Sequence, residues 1–408
     1  MPVGNRQPVE AVNEGTGFVV ALKVVHLTSV HHPYDNRIFH KECATLAAAG
    51  YQVTLVAPCA ACDVIEGTVR VRALKPPPNR LVRALRTIPQ VYWAALREDA
   101  ALYHFHDPEL MPVGALLRIN GRKVIYDVHE DYAGSMAGKQ WIPGLFRGIA
   151  SWGVRICEHF FASRCSKVIA ATPTIARLFP GLNVGLVQNF PWRDELAVAD
   201  APPYALRHPI VAHVGALSKD RGLAEMVRAV KLVACERDVK LILAGRVFAG
   251  AGGGIENESA QGLVDYVGML SRPQVAALLA SARVGIVTLH PTGNYVNSQP
   301  TKLYEYMSAG LPVIASDFPI WRQVVEPAGC GLLVDPLDPR AIADAIEWLL
   351  SHPVEAEEMG RRGRLAVEAK YNWEREGTRL VEIYADLLCA TVPQSKLGSS
   401  RRIARQEP

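Results

Sequence analysis

The chain has 408 residues, too many for one ordinary hydrophobic core, so two domains are expected. Apolar residues make up 49% and charged residues 21%, which excludes wholesale disorder. A formal charge of +4 suits an enzyme that handles phosphates or rests near acidic lipid, and it is far from that of a dedicated nucleic-acid binder.

Residues 1–16 are polar, lack the apolar core of a signal peptide, and read as disordered. No apolar run reaches the ~18 residues of a membrane span, so a cytoplasmic location is expected. FVVALKVVHL is a strand-type run that breaks into the loop SVHHPYDNR. Asp35 or Asn36 can cap the helix that follows, and Gly50 closes it. YQVTLVAP and GTVRVRAL are two further strands, and RLVRALRTIPQVYWAALRE has helical spacing. ALYHFH, KVIYDVHE, KVIAAT and NVGLVQN are short apolar strands that end in polar residues. His104 and His106 are expected on opposite faces of their strand. The segment from Trp141 to Phe161, with Arg147 and Arg155, is expected to pack on the sheet, and a membrane contact is the alternative.

The boundaries follow from this rhythm. Residues 17–190 form the first Rossmann-like domain and 191–208 a proline-rich, charged linker. The rhythm restarts in 209–370 with PIVAHVG, VKLILAG, LVDYVG, RVGIVTL, LPVIAS and GLLVDP. Residues 371–391 form a C-terminal helix expected to return to the first domain, and 392–408 a disordered basic tail. Alternating strands and helices imply doubly wound parallel sheets, whose ligands bind beyond the carboxyl ends of the strands. The eight cysteines, Cys235 among them, read mostly as buried small hydrophobes. Cys59 and Cys62 lack the second ligand pair of a zinc site. The glycines at 250 and 252–254 read as a flexible loop.

Residues 297–316, NSQPTKLYEYMSAGLPVIAS, carry the densest chemistry. Pro300 suits the first helical position, and the free amides near Thr301 and Lys302 attract anions. Lys302 adds a mobile positive charge, and the Glu305 carboxylate suits paired hydroxyls such as those of a ribose. Ser308, Ala309 and Gly310 are small enough to let the next strand approach closely. From spacing alone, a surface helix with an incidental lysine and glutamate explains the pattern equally well.

This segment resembles the signature of the retaining, nucleotide-sugar-dependent glycosyltransferases of family four, and QPTKLYEYM is similar to one branch of them. The family form has two acids eight residues apart, followed by small residues and G-x-P-V-I. Glu305 falls on the second acid, which in the family contacts the ribose. Asn297 falls on the first, which contacts the transferred sugar, and is a departure; an amide can still hydrogen-bond a hydroxyl. HVGALSKDRGL resembles the family's pyrophosphate loop. Gly215 matches the glycine, and Arg221 replaces a lysine and keeps its charge. Lys219 can compensate for Ala216, which stands where arginine is common. TSVHHPYDNRIFHKE, YHFHDPELMP and VIYDVHEDY match the branch's first domain, and His129 falls on a histidine that the family places against the reacting sugar. His106, Asp107, Asp35 and Arg37 join it as a set on one sheet edge, Arg37 and Asp35 facing the other domain. A capping role for Asp35 is an equal alternative.

The resemblance implies a GT-B fold, two Rossmann-like domains facing across a cleft. It also implies transfer from a nucleotide diphosphate-sugar with retention of configuration. Arg221, Lys219, Gly215, Thr301, Lys302 and Glu305 would hold the donor, and His129, Asp35, His106 and Asn297 the reacting sugar or acceptor. No D-x-D cluster stands at a strand end of the second half, so no metal and no cofactor beyond the donor are expected. The branch suggests a carbohydrate or lipid-linked sugar acceptor in surface or exopolysaccharide assembly, with a peripheral membrane contact and no nucleic acid. A sugar-nucleotide epimerase of the same architecture and a non-catalytic sugar-nucleotide binding subunit are the rival readings.

Overall fold

The computed structural model describes residues 21–60, 63–137, 143–198, 200–248, 262–293 and 295–389. The expectations for both termini, Cys62, Trp141 and the glycines at 250 and 252–254 lie outside them.

Two open sheets form the core. The first has eight strands in the order β3-β4-β2-β1-β5-β6-β7-β8. These are β1 Lys23–Leu27, β2 Gln52–Pro58, β3 Val64–Glu66, β4 Val69–Leu74, β5 Leu102–Phe105, β6 Lys123–Val128, β7 Lys167–Ala170 and β8 Val184–Leu186. All neighbours pair in parallel except β3 with β4. That antiparallel edge strand was not expected. It is only three residues long, and Gly67, at φ 58°, turns it back onto the edge.

The second sheet has six parallel strands in the order β11-β10-β9-β12-β13-β14. They are β9 Ile210–Val214, β10 Lys240–Ala244, β11 Val264–Tyr266, β12 Val284–Val287, β13 Val313–Ser316 and β14 Gly331–Val334. Most central strands are buried along nearly their whole length, which is why they read as continuous apolar runs rather than alternating ones. In each sheet the strand order reverses once, between β1 and β5 and between β9 and β12. The crevices outside these two reversals are where such folds bind ligands.

The last described helix, Trp373–Leu388, packs on the first sheet: Trp373, Leu380, Val381, Ile383 and Tyr384 share one cluster with Val24, Leu55 and Leu102. The chain therefore crosses between the two bodies twice.

Four local expectations need correction. Pro300 is the N-cap, with extended φ −71° and ψ 124°, and the helix runs Thr301–Ser308. Cys235 is exposed, as are Cys157 and Cys389, because Cys235 sits at the C-cap of the Leu223–Ala234 helix, beyond its last core-facing turn. The close approach seen at Gly310 is made by the Pro353–Ala369 helix: a Cβ on Gly360 would lie 2.1 Å from the Gly310 carbonyl oxygen. Finally, the helix Gly144–Ala162 turns Phe146, Ile149, Trp152, Ile156 and Phe160 outward instead of onto the sheet.

Candidate active site

At the first reversal, the loop after β1 is clasped to the end of β5. The Asp107 carboxylate accepts from Thr28 Oγ1 at 2.8 Å and from the Ser29 backbone N–H at 2.6 Å. His31 Nε2 lies 3.3 Å from the other Asp107 oxygen. Asp35 accepts the backbone N–H groups of Arg37 and Ile38 through Oδ1, and its Oδ2 lies 3.6 Å from His31. It therefore caps the π-helical turn Ile38–Cys43 and still reaches the loop histidine. Burial pushes its carboxyl pKa up, but the His31 hydrogen bond and the Ile38 amide hold it well below the ordinary range. For His31 burial acts downward, and Asp35, Asp107 and Asp127 outweigh it and raise the imidazole.

Arg37 does not face the other domain. It is buried, donates through Nε and Nη2 to Asp127 at 3.2 and 3.0 Å, and donates to the Val187 carbonyl. An extended guanidinium can reach two strand ends from one helix start, and here it does so inward.

His104 and His106 share one face, their rings stacked at 4.7 Å, because alternation puts residues two apart on the same side. Both are wholly buried, as is His26, which pairs with His104 across β1 and β5. His106 therefore cannot touch a substrate directly. Tyr384 Oη lies 2.9 Å from His104 Nδ1 and 3.1 Å from His26 Nε2; His26 Nδ1 lies 3.0 Å from His106 Nε2, and His106 Nδ1 3.2 Å from Asp127 Oδ2.

Burial drives His26 and His104 well below the ordinary histidine range and His106 to about 4, so all three are neutral. Asp127, which burial would raise, is held low by Arg37 and His129. A carboxylate only accepts, so one set of protons satisfies the chain: His104 donates to Tyr384, Tyr384 to His26, His26 to His106, and His106 to Asp127. His129 ends it at the surface, Nε2 at 2.6 Å from the same Asp127 oxygen and the ring 15% exposed. Arg37 Nε lies 3.2 Å from the same His129 nitrogen.

Two groups of these residues come within metal-ligand reach, His26 with Glu42, His104 and His106, and His106 with Asp127 and His129. Arg37 Nε lies 2.9 Å from Glu42 and already supplies the positive charge there.

The second reversal gathers the other set. Gly215 follows β9 at φ 156°, and a Cβ built on it would lie 3.6 Å from Lys302 Cε, so the loop and the Thr301–Ser308 helix start adjoin. Lys219 and Arg221 lie on one short 3-10 turn, Lys219 exposed and Arg221 half-buried over the Tyr295 ring at 5.6 Å. The loops after β9 and β12 touch directly, the His290 N–H donating to the Asp220 carbonyl at 2.9 Å. Asn297 is exposed at the end of the 3-10 turn Tyr295–Asn297.

Lys302 is not a mobile charge, since its Nζ is 2.7 Å from Glu305 Oε2, one turn along the same helix face. Glu305 Oε1 accepts from Arg272 at 3.1 Å, and Arg272 also donates to Glu195 at 2.7 Å. Burial would raise Glu305, but Lys302 and Arg272 lower it, so it is a carboxylate with lone pairs to spare.

Asp127, His26, Tyr384, Arg272 and Glu195 join the site without having been expected from the sequence. A charged residue inside the apolar run KVIYDV was a usable signal for Asp127. Tyr384 lies on the apolar face of an amphipathic helix beside Leu380, Val381 and Ile383 and had none.

Residues 36–188 match the family described as "Glycosyl transferase 4-like domain", and residues 201–366 match "Glycosyl transferases group 1". The chain belongs to the group 1 glycosyltransferases. Phosphatidyl-myo-inositol mannosyltransferase of Mycobacterium leprae is 27% identical over 356 residues, 83% of this chain and 89% of that protein. The GDP-mannose-dependent monoacylated alpha-(1-6)-phosphatidylinositol monomannoside mannosyltransferase of Corynebacterium glutamicum is 23% identical, over 68% of this chain and 73% of its own. Among solved structures, sucrose-phosphate synthase of Thermosynechococcus elongatus superposes with a TM-score of 0.71 at 22% identity, covering 91% of this chain and all of that one. Anabaena HepE, solved with UDP-glucose, gives 0.68 at 16% identity, covering 90% and 100%. This glycosyltransferase thus has the GT-B architecture, with one half of its candidate site at each sheet's reversal.

Proposed function

We propose that the chain transfers a hexose from a nucleotide diphosphate-sugar, with retention of configuration, to a lipid-linked sugar acceptor at the cytoplasmic face of a membrane, in surface or exopolysaccharide assembly. The observation that carries the donor assignment is the meeting of the Gly215 loop with Lys302 and Glu305 at the second reversal. Lys219, Arg221 and the helix-start amides of Thr301 and Lys302 supply positive potential where the diphosphate gathers charge as it leaves. Glu305 has lone pairs left for the ribose hydroxyls. Asn297 meets the sugar, while His129 and Asp35 orient sugar or acceptor from the opposite domain. These cations and amides do the work of a metal, so activity is expected to survive EDTA. The printed names of the mycobacterial and corynebacterial relatives make GDP-mannose the first donor to try.

The test is a steady-state transfer assay paired with calorimetry of the free nucleoside diphosphate. Asn297→Ala is expected to spare nucleotide binding and reduce transfer, by about 1–2 kcal/mol in activation free energy. Glu305→Gln is expected to impair nucleotide binding whatever sugar is attached. Unimpaired transfer in Glu305→Gln would remove this helix from the site.

A further inference from the structure

The outward stripe on the Gly144–Ala162 helix has a geometry of its own. Phe146, Ile149, Trp152, Ile156 and Phe160 recur every three or four residues and share an arc of about 120° at 100° per residue. Ile149 is 65% exposed and Trp152 68%. The opposite side of the helix is well satisfied: Glu158 is buried and accepts the Tyr126 hydroxyl at 2.9 Å, and Ser151 donates to the Ala133 carbonyl. The stripe is thus surplus to what holds the helix on its sheet. The Met111–Ile119 helix lies alongside, Arg118 donating to the Arg164 carbonyl, and it adds Ile119 at 80% exposure. A single tryptophan or isoleucine in water is ordinary; a row of five with a neighbouring sixth is not.

Charge decides the occupant. Glu158 is the helix's one carboxylate, and it is buried. Arg155 and Arg164 flank the stripe, with Arg164 over the Phe160 ring at 3.4 Å. Beside them Arg155, His159 and Arg177 line a shallow groove with Ile156 and Phe160. An apolar row between cationic side chains, aromatic at both ends, matches the boundary between lipid headgroups and acyl chains. No helix among the described residues is long and apolar enough to cross a membrane, so the contact lies in the plane of the surface.

We infer that this face of the first domain docks on an anionic lipid bilayer, the helix axis parallel to the surface and the stripe inserted at the headgroup boundary. The helix also touches the loop that follows His129, Arg155 donating to Asp131 at 3.0 Å. A docked protein therefore holds the His129 edge beside the membrane, where a lipid-linked acceptor presents its sugar. This deepens the proposed function and rests on it for the nature of the acceptor, not for the docking.

The probe is the full chain sedimented with vesicles of phosphatidylcholine, alone or with about 30% phosphatidylglycerol. The wild type is expected to bind the anionic vesicles, bind the neutral ones more weakly, and lose part of its binding at high salt. Trp152→Glu with Ile156→Glu is expected to weaken binding at least tenfold for each side chain taken out of the lipid, on the order expected from apolar burial. Val354→Glu, at another exposed apolar residue far along the chain, is the control and should bind as the wild type does. Thermal melts of both variants should match the wild type, since none of the altered side chains is in the core. Three results overturn the proposal: a wild type that stays in the supernatant, a double variant that binds unchanged, or a wild-type dimer in solution that the double variant splits. Transfer to a water-soluble acceptor separates the two readings. If the double variant retains it, docking is independent of chemistry; if no acceptor is ever used while docking persists, the proposed function fails and the docking stands.

Discussion

His129 and Arg221 represent two kinds of residue in this site. His129 hangs at the end of a buried hydrogen-bonded chain, on the domain opposite the donor, so its contribution is expected in turnover. His129→Ala is expected to lower kcat and leave donor affinity nearly unchanged, as read from the split between kcat and KM. Arg221 lies beside the exposed Lys219 and Asp220, and no side-chain hydrogen bond or ion pair of it is seen among the described residues. Arg221→Ala should weaken nucleoside diphosphate binding by about 1.5–3 kcal/mol, measured by calorimetry; an unchanged affinity removes it from the phosphate site. Both residues were marked through the family resemblance, His129 by VIYDVHEDY and Arg221 by HVGALSKDRGL. The length of the histidine chain was not, since His26 and Tyr384 lie 358 positions apart and meet only through the fold. The pairing of Lys302 with Glu305 was available from their spacing of three, yet a lysine at a helix start reads first as an anion ligand.

Among the elements, the loop after β9 and the helix over β6 carry separate predictions. Gly222 adopts φ 71°, and a Cβ there would lie 2.1 Å from the Thr288 carbonyl oxygen. Gly222→Ala therefore has to push the two donor-side loops apart as well as strain the backbone. We expect a stability loss above about 1–2 kcal/mol in urea unfolding, together with weaker nucleotide binding. On the other domain, burial raises Glu158 to about 7, the Tyr126 hydrogen bond opposing it. Its carboxyl is higher in the folded than in the unfolded chain. Stability from this group is thus full below the unfolded value near 4.5 and is lost as pH rises towards 7. Glu158→Gln should match the wild type at pH 4.5 and exceed it above pH 7, by up to about 3 kcal/mol, in melts compared across pH. A constant difference would show that Glu158 does not titrate in that range. Strand positions were readable from their buried apolar runs, except for β3, whose three residues at an edge leave no period to read. The outward stripe was misread for a physical reason: an amphipathic helix reports which residues share a face, and burial of that face depends on neighbours the sequence does not name.

At the scale of the molecule, two sheets with one reversal each put two half-sites on strand ends, and the last helix ties the second crossing back to the first sheet. Tyr384→Phe tests that tie. It removes the donor to His26 and the acceptor for His104 in a wholly buried setting, and should cost about 1–3 kcal/mol in urea unfolding of the full chain. The two-domain plan was legible from the repeated strand and helix rhythm; the depth to which the final helix enters the first core was not, because one amphipathic period fits many partners. That helix has a consequence for the order in which the protein is made. The first sheet is complete at β8, but the side chains that close its core, Trp373, Leu380 and Tyr384, leave the ribosome only after the whole second domain. At ~5–20 residues per second, the roughly 190 residues between them take some 10 to 40 s. During that interval the buried histidines face an open groove instead of a tyrosine, and the second domain folds as an insertion within an unfinished first one. A message truncated between Ala369 and Trp373 therefore yields a chain whose second domain can close while its first cannot.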